Sequence, residues 1–429
     1  MSILEGSRYQ SYVYGYPHKT AYRPIAPALP LAPLWAGERR DGLFLYVHVP
    51  FCEQRCGFCN LFTQPVPEDD RVDAYLATLT RQVHVVRRAL EAGGGFAIAR
   101  AAIGGGTPTL LDAHQLDRLF GLVEHMGYRG APMSVETSPE TALADRIGVA
   151  VARGANRISI GVQSFVDSEV KAVNRPQRAT DVHKALRTIR DTGVTTLNID
   201  LMYGLPGQTA ETWQLSLAAA LEYKPEEIYL YPLYVRPLTT LGRKQVEAVD
   251  AHRVALYAQA GEVLRGAGYR QVSMRMFTRA PATTSAYSCQ ADGMIGLGCG
   301  ARSYTTSVHY SSEWAVGARG VRGIIDRWIA RSDDEFAVAD YGFVLDAEEQ
   351  RRRWLILSLL SDDGLDLASY RTRFGDEPRQ LDELVTRGWV TQDARTMRLT
   401  AEGLARADMI GPYLFTDAVN ARMAAYELT

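Results

Sequence analysis

From residue 43 to about residue 235, short apolar runs alternate with longer stretches whose apolar residues recur every three or four positions. LFLYVHV reads as a strand, and VDAYLATLTRQVHVVRRALEA (Val72 to Ala92) as an amphipathic helix. AIARAAI is the next strand, followed by a glycine turn and a helix, LDAHQLDRLFGLVEHMG, that stops at Gly127. MSVETS, RISIGVQSF, TLNIDLMYG and EEIYLYPLYV continue as strands. Between them ETALADRIGVAVARGA, TDVHKALRTIRDTG and TAETWQLSLAAALEY read as helices, the second with a Thr cap and a Gly stop. AHRVALYAQAGEVLRGAG adds a helix, and YRQVSMRMF a further strand. Strand and helix alternate about six times across connections of a few residues. That predicts an α/β fold with a parallel sheet and right-handed crossovers, either open or curled into a barrel.

Both ends break this rhythm. SYVYGYPHKTAYRP (Ser11 to Pro24) carries Tyr12, Tyr14, Tyr16 and Tyr22, and Pro24, Pro27, Pro30 and Pro33 follow. Proline at that density excludes long helices and predicts an extended arm. The arm packs on the surface as a tail or lies over an active-site mouth, where tyrosine offers contact area and a hydroxyl. At the other end EEQRRRWLILSLLSDDG, LASYRTRFG and QLDELVTRGW read as helices, and WVTQDARTMRLTAEG as a hairpin before a last helix. Three helices and a hairpin predict a winged-helix-like unit that serves as a structural cap. The expected division is an arm over 1–42, a core over 43–305 and a helical C-terminal domain over 306–429. The sequence shows no solenoid-period repeat and no low-complexity tract.

Composition narrows the function. Hydrophobic residues make up 46% and charged residues 22%, as in a globular enzyme. A net charge of -2 supplies no basic field for nucleic acid, and no helix of the C-terminal unit is rich in Arg or Lys. No apolar run reaches the roughly 18 residues that span a bilayer. MSILEGSRYQ lacks the form of a secretory signal, so a cytoplasmic location is expected, and the chain is expected to be a monomer. Five cysteines in 429 residues are no disulfide framework; their spacing points to metal or redox chemistry.

Three of the five stand within HVPFCEQRCGFCN as Cys52, Cys56 and Cys59. Thiolates spaced CxxxCxxC on one loop can converge on one inorganic centre, and soft ligands suit zinc or an iron–sulfur cluster. His48, four residues before Cys52, makes a Cys₃His zinc site conceivable. Closed zinc sites usually draw on two separated knuckles, and this is one compact triplet. A [4Fe–4S] cluster on three cysteines leaves one iron open to a chelating small molecule.

CxxxCxxC resembles the signature loop of radical S-adenosylmethionine (SAM) enzymes. In these the amine and carboxylate of SAM chelate the open iron, and an electron from the reduced cluster cleaves SAM to methionine and a 5′-deoxyadenosyl radical. The chain from 43 to about 305 resembles the HemN-like branch, oxygen-independent coproporphyrinogen III oxidase and its relatives, with a weaker match to the C-terminus. YVHVPFCEQRCGFC matches the branch's YxHxPFCxxxCxFC. The resemblance implies a partial (β/α)6 TIM-type barrel and a [4Fe–4S] cluster on Cys52, Cys56 and Cys59. It implies SAM contacts from Tyr46, from Gly105, Gly106 and Thr107 of GGGTP, and from Glu136, Gln163, Arg175 and Asp200. All these polar residues stand at or just beyond strand ends, where ligands bind in α/β barrels. An electron donor such as flavodoxin or ferredoxin is implied as partner.

The reaction is less determined than the cofactor. The oxidase binds a second SAM, and that pocket would be lined here by Gly106, the YLYPLYVRP strand end and GLGCGARSY. Tyr231, Tyr234 and Arg302 stand there, where the oxidase has smaller or apolar residues at the last two. The oxidase's fourth cysteine and the haem chaperone's CDFNS-like continuation are both absent; the run continues Asn60-Leu61-Phe62. An altered rim around a two-SAM pocket fits the class C radical SAM methylases and cyclopropane-forming enzymes, which add a SAM-derived methylene to an sp² carbon. The expected substrate is therefore an unsaturated or aromatic small molecule. The alternatives are an oxidase that decarboxylates propionate side chains and a haem chaperone. Cys289 and Cys299 lie near the second pocket in sequence. A buried free cysteine is usually a small apolar residue; Cys299 and Tyr234 are nevertheless candidates to act in turnover.

Overall fold

The alternation becomes one large sheet in the computed structural model, which describes residues 3–13, 15–66, 71–279 and 292–428. Tyr14 and Cys289 lie outside the described residues. The sheet strands are β1 (Arg23–Pro30), β2 (Leu43–Val49), β3 (Ile98–Gly105), β4 (Met133–Thr137), β5 (Arg157–Gln163), β6 (Thr196–Tyr203), β7 (Glu227–Pro232), β8 (Arg270–Gln271), β9 (Met276–Thr278), β10 (Met294–Leu297), β11 (Arg302–Tyr304), β12 (Val308–Ser311) and β13 (Val338–Val344). Their order is β1-β13-β12-β11-β10-β2-β3-β4-β5-β6-β7-β9-β8. From β2 to β7 neighbours follow chain order and pair in parallel. The helices between them are α1 (Arg71–Glu91), α2 (Ala113–His125), α3 (Ala144–Ala152), α4 (Ala179–Asp191) and α5 (Ala210–Glu222), with α6 (Asp250–Gly266) after β7. β10 adds a parallel strand on the other side of β2, and antiparallel strands extend both edges.

Local chemistry sets the element ends. Asp112 and Gln115 form a capping box on α2. Thr180 is not the cap of α4 that its position in sequence suggests: it lies inside the helix, and the Asp167 carboxylate accepts from the first amide, Ala179 N, at 2.8 Å. YRQVSMRMF bends into the short antiparallel pair β8 and β9.

The two faces of the parallel strands differ in kind. Ile158, Ile160 and Val162 of β5 and Leu197, Ile199 and Leu201 of β6 are buried in the hydrophobic core. The alternate positions, Ser159, Gly161 and Gln163, then Asn198 and Asp200, then Glu227, Tyr229 and Tyr231, present polar groups to the other face. A parallel sheet covered on both faces reads as unbroken apolar runs. Here the inner face is a polar lumen. At its floor Arg157 Nε meets Glu227 Oε2 at 2.7 Å and Arg157 Nη1 donates to Ser134 Oγ at 2.8 Å.

The N-terminal segment is built into the fold. Its proline-rich part is edge strand β1, paired antiparallel with β13; a sheet edge is where proline's missing amide costs least. Tyr16 and Tyr22 are buried in a second apolar core with Leu355, Ile356, Leu359 and Tyr370. The sheet continues through residue 305 into β12 and β13. After it come helices Ala347–Leu359, Leu367–Phe374 and Asp382–Thr386 and a three-stranded antiparallel sheet of Leu365–Asp366, Val390–Gln392 and Thr396–Leu399. Among the described residues no helix is long and apolar enough to cross a membrane.

Candidate radical SAM site

The cysteine loop leaves the end of β2 and folds back on itself. Gln64 N donates to Pro50 O at 2.7 Å and Val66 N to Cys52 O at 2.8 Å, closing the loop at its base. Its tip is fixed from both sides: Gly57 N donates to Val173 O at 2.8 Å, and Leu241 N donates to Gly57 O at 2.9 Å. A Cβ at Gly57 would stand 2.8 Å from Val173 O, so the CGFC glycine is required by contact.

The three thiols face polar donors. Cys52 Sγ lies 3.7 Å from Thr107 Oγ1, Cys56 Sγ 3.2 Å from Arg175 Nη1, and Cys59 Sγ 3.7 Å from Thr63 Oγ1. Burial, with the neighbouring cysteines, pushes the Cys52 thiol up to about 12, and burial raises Cys56 as well. Three half-buried thiols beside each other suit a centre that brings its own positive charge. They fit a cluster better than zinc. The three thiols come from one short loop, whereas closed zinc sites usually take their ligands from two separated knuckles. Nor is His48 a fourth ligand. One ring nitrogen lies 3.1 Å from Tyr46 Oη and the other 3.0 Å from Phe62 O, and burial depresses its pKa to about 4. The ring props the returning half of the loop.

The three glycines of GGGTP are explained by what touches them. A Cβ would meet the Glu136 carboxyl at Gly104 (2.6 Å), the His48 ring at Gly105 (2.5 Å) and Phe51 O at Gly106 (2.4 Å). Gly105 also has φ +115°, a conformation that favours glycine. Gly105 N donates to Glu136 Oε2 at 2.9 Å, and Thr107 N donates to Phe51 O at 2.7 Å. The loop thus locks the cysteine segment to β4.

Around it the strand ends bring together most of the expected contacts. Glu136 opens on the lumen yet is walled by protein, and burial raises its pKa against the Gly105 hydrogen bond. Burial likewise pushes Asp200 up to about 7, although Asn198 Nδ2 donates to it at 2.7 Å. Gln163 closes β5 at a register shift with φ +69°. Arg175 is aimed at the cysteines by Gln177, whose Oε1 accepts from Nε at 2.7 Å, and by the Gly161 carbonyl. A cleft of about 300 Å³ is lined by Cys52, Cys56, Thr107, Glu140 and Arg175. Across it burial and the Glu53 carboxyl push Glu140 up to about 7.

The arm crosses the opposite side of the lumen. Tyr12 lies edge-on to Tyr231 (6.2 Å between centroids), and a Cβ on Gly15 would touch Tyr304 Oη at 3.0 Å and Arg302 Nη1 at 3.8 Å. Tyr16 donates to Glu349, which also accepts from Thr416 Oγ1 at 2.7 Å. Tyr231 and Arg302 are therefore neighbours of the arm. Tyr234 is placed differently: it bonds Asp408 and accepts from Arg275 Nη2 at 2.8 Å. Arg275 pairs with Asp408 at 2.7 Å and stacks on Tyr12 at 3.8 Å. Cys299 is fully buried in the core, with Sγ 3.8 Å from Ser312 Oγ and 3.9 Å from Ile324 O, and burial pushes its thiol up to about 12. Sequence reasoning passed over Arg275, Asp408, Gln177 and Asn198. Arg275 and Asp408 each carry a visible signal, a lone charge inside an apolar run (VSMRMF and ADMIGPYLF).

Known proteins resemble this chain in sequence and fold. The Radical SAM superfamily model matches residues 46–219, and the HemN C-terminal domain model matches 345–406. Heme chaperone HemW of Escherichia coli is 29% identical over 84% of this chain and 95% of its own length. The oxygen-independent coproporphyrinogen III oxidase of Paracoccus denitrificans is 29% identical over 85% of this chain and 84% of its own. The solved coproporphyrinogen III oxidase (HemN) of Escherichia coli superposes with a TM-score of 0.78 at 23% identity, over 94% of this chain and 97% of that one, which establishes the fold. With its three-cysteine loop and both matching segments, the chain is a HemN-like radical SAM enzyme that uses a [4Fe–4S] cluster and SAM.

Proposed function

We propose that this enzyme acts on a flat, carboxylate-bearing small molecule held between the lumen and the N-terminal arm, by hydrogen abstraction and oxidative decarboxylation. The observation that carries the reading is a pair of arginines beside the arm: Arg302 and Arg353 lie 5.7 and 5.9 Å from the Tyr304 ring, against Gly15. Burial holds His18, His48 and His309 neutral, and nearby charges reinforce it: Lys19, Arg302 and Arg236 at His18, Lys19 and Arg302 at His48, Arg353 and Arg302 at His309. Cations from separate segments thus stand near the arm, and Tyr229, Tyr231 and Tyr12 pack in series along the chamber. Such a chamber suits an anionic substrate with a π face. The oxidase relatives support the same direction. Arg23 and Arg236 are not available to such a substrate, because their guanidiniums are spent on backbone carbonyls, of Thr20 and Tyr22 and of Gln10 respectively.

When bound, the cluster and SAM supply a 5′-deoxyadenosyl radical. The protein's own residues bind, orient and exclude water. Glu136, Gln163 and Asp200 would hold the polar groups of SAM, Arg175 would pair with its carboxylate, and the arm would cover the chamber. The substrate would give one hydrogen atom to that radical, forming 5′-deoxyadenosine, and would then lose carbon dioxide and one electron, the electron to an external acceptor, leaving a carbon–carbon double bond.

A second reading, C-methylation or cyclopropanation with a second SAM, is favoured by one feature. Gly106 and Gly296 give a wall without side chains beside Arg302, which can pair with a SAM carboxylate. Anaerobic incubation with reductant, SAM and coproporphyrinogen III separates the readings. Decarboxylation gives 5′-deoxyadenosine and carbon dioxide without S-adenosylhomocysteine. Equal amounts of S-adenosylhomocysteine and deoxyadenosine would instead establish methylene transfer, and stable haem binding with little SAM cleavage would establish a chaperone.

A further inference from the structure

Arg175 meets the cysteine loop, yet its position is set by another part of the fold. Its Nε donates to Gln177 Oε1 at 2.7 Å, its Nη2 to the Gly161 carbonyl, and its Nη1 to Cys56 Sγ at 3.2 Å. That uses three of the guanidinium's five N–H groups and leaves one on each Nη for a carboxylate ligand. Gln177 is fixed in turn. It is 7% exposed, and its Nε2 donates to Val162 O at 2.8 Å and to Ser164 O at 3.0 Å. Gly161 and Val162 belong to β5, and Ser164 follows its last residue. The guanidinium is therefore anchored on a strand end, and the loop comes to it.

The chemistry of position 177 is narrow. A carboxamide accepts from Nε and donates to both carbonyls at once. A carboxylate of the same length accepts but cannot donate, and would be buried against two carbonyl oxygens. At the other end of the relay, Cys56 differs from its two partners. Cys52 and Cys59 face the hydroxyls of Thr107 and Thr63, each at 3.7 Å, whereas Cys56 faces a full positive charge. The other charged groups lining this cleft are the carboxyls of Glu53 and Glu140. A charge-assisted hydrogen bond to a ligating thiolate withdraws electron density from the iron. Such bonds, with net charge, are among the features that set an iron–sulfur potential.

We propose that Gln177 is a positioning residue that sets the reduction potential of the cluster, by holding the Arg175 guanidinium against the Cys56 thiolate. The inference rests on the cluster assignment of the loop and is independent of the substrate. On reduction the cluster gains one electron from an external reductant, and no proton or atom moves. The fixed charge of Arg175 stabilises the product of that step, so the potential is higher than it would be without it. Arg175 thus acts on the cluster before SAM binds, in addition to pairing with the SAM carboxylate.

The test is a redox titration of the reconstituted holoenzyme with titanium(III) citrate, followed by electron paramagnetic resonance. SAM is left out, so that its carboxylate does not enter. Wild type is compared with Gln177→Leu, Arg175→Gln and the double variant, each at an iron content equal to wild type. At the potential that half-reduces wild type, the ratio of reduced to oxidised cluster should fall about tenfold in each single variant, a midpoint lower by about 59 mV. The double variant should fall no further, because both changes remove one contact. If Gln177→Leu takes up less iron, Gln177→Asn replaces it; its shorter carboxamide cannot reach Nε and both carbonyls together. An unchanged midpoint in Arg175→Gln would overturn the proposal whatever the Gln177 variants do. An unchanged midpoint in the Gln177 variant at full iron content, or additive shifts in the double variant, would overturn the positioning role. A wild-type protein that gives no [4Fe–4S] signal would instead overturn the radical SAM reading.

Discussion

Asp408→Asn probes how the arm is held over the lumen. The Asp408 carboxylate pairs with Arg275 at 2.7 Å, and the two side chains are 1% and 3% exposed. Arg275 in turn lies 3.8 Å above the Tyr12 ring, and the Asp408 carbonyl accepts from Ser11 N at 3.1 Å. One buried pair therefore ties β9, the arm and the helix Ala407–Tyr413 together. Neutralising the carboxylate leaves a buried guanidinium without a counter-charge, which costs about 3–5 kcal/mol. The cation–π contact with Tyr12 is present in both proteins and cancels, and Tyr234 still bonds the guanidinium, so the lower end, about 3 kcal/mol, is expected. If the arm opens locally, hydrogen exchange in residues 9–13 should accelerate by about 150-fold, since each 1.36 kcal/mol is a factor of ten. Mass-spectrometric exchange under opening-limited equilibrium conditions reads this directly. Arg275→Met/Asp408→Leu, which buries no charge, should restore most of the protection. Acceleration below about fivefold in Asp408→Asn would refute the idea that this pair closes the arm.

Other outcomes follow from the same geometry. Gly105→Ala forces a Cβ into the His48 ring at φ +115° and should cost about 1–3 kcal/mol, with less iron incorporated per chain. Full iron content would contradict the propping role of His48. Asp200 has its pKa raised from 3.8 to about 7, so the folded SAM-free protein holds a proton that the unfolded chain releases. Stability from this group is intact below pH 4 and is lost as pH rises towards 7. The full shift would correspond to about 4 kcal/mol, and water in the lumen reduces it to roughly half. Asp200→Asn should therefore melt higher than wild type at pH 8, match it at pH 4, and bind SAM less tightly; a lower melting temperature at pH 8 would contradict the sign. Cys299→Ala should lose about 1 kcal/mol of stability with unchanged iron content and SAM cleavage, and a loss of turnover alone would restore a role for the thiol.

How much of this was legible depended on range. Periodicity reports which face of an element is buried, and it gave the order of strands and helices from β2 to α6. Strand ends are local too, so Glu136, Gln163 and Asp200 could be placed at one rim before any coordinates; Arg175 instead follows the short helix Asp167–Ala172 and was reached only through the family resemblance. The polar lumen was written in NIDLMY and EIYLYP, whose alternation is too regular for a sheet covered on both faces. Pairings across hundreds of residues leave no such trace. Nothing near Tyr16 announces Glu349, and nothing near Arg275 announces Asp408, because each half is satisfied only once the C-terminal unit has docked. The arm therefore read as a tail or a lid, and the extension of the sheet through β12 and β13 went unseen. Cys299 drew attention by its neighbours in sequence, whereas its contacts in space are Ser312 and Ile324.

The three-cysteine loop is worth most as an incomplete ligand set, one that leaves an iron for SAM. Electron–nuclear double resonance on the dithionite-reduced holoenzyme, with SAM labelled at the amine nitrogen with ¹⁵N and at the carboxylate with ¹⁷O, reads that directly. Both labels should couple to the cluster spin, and the couplings should vanish without SAM. A reduced cluster with neither coupling in the presence of saturating SAM, or zinc in place of iron, would contradict it.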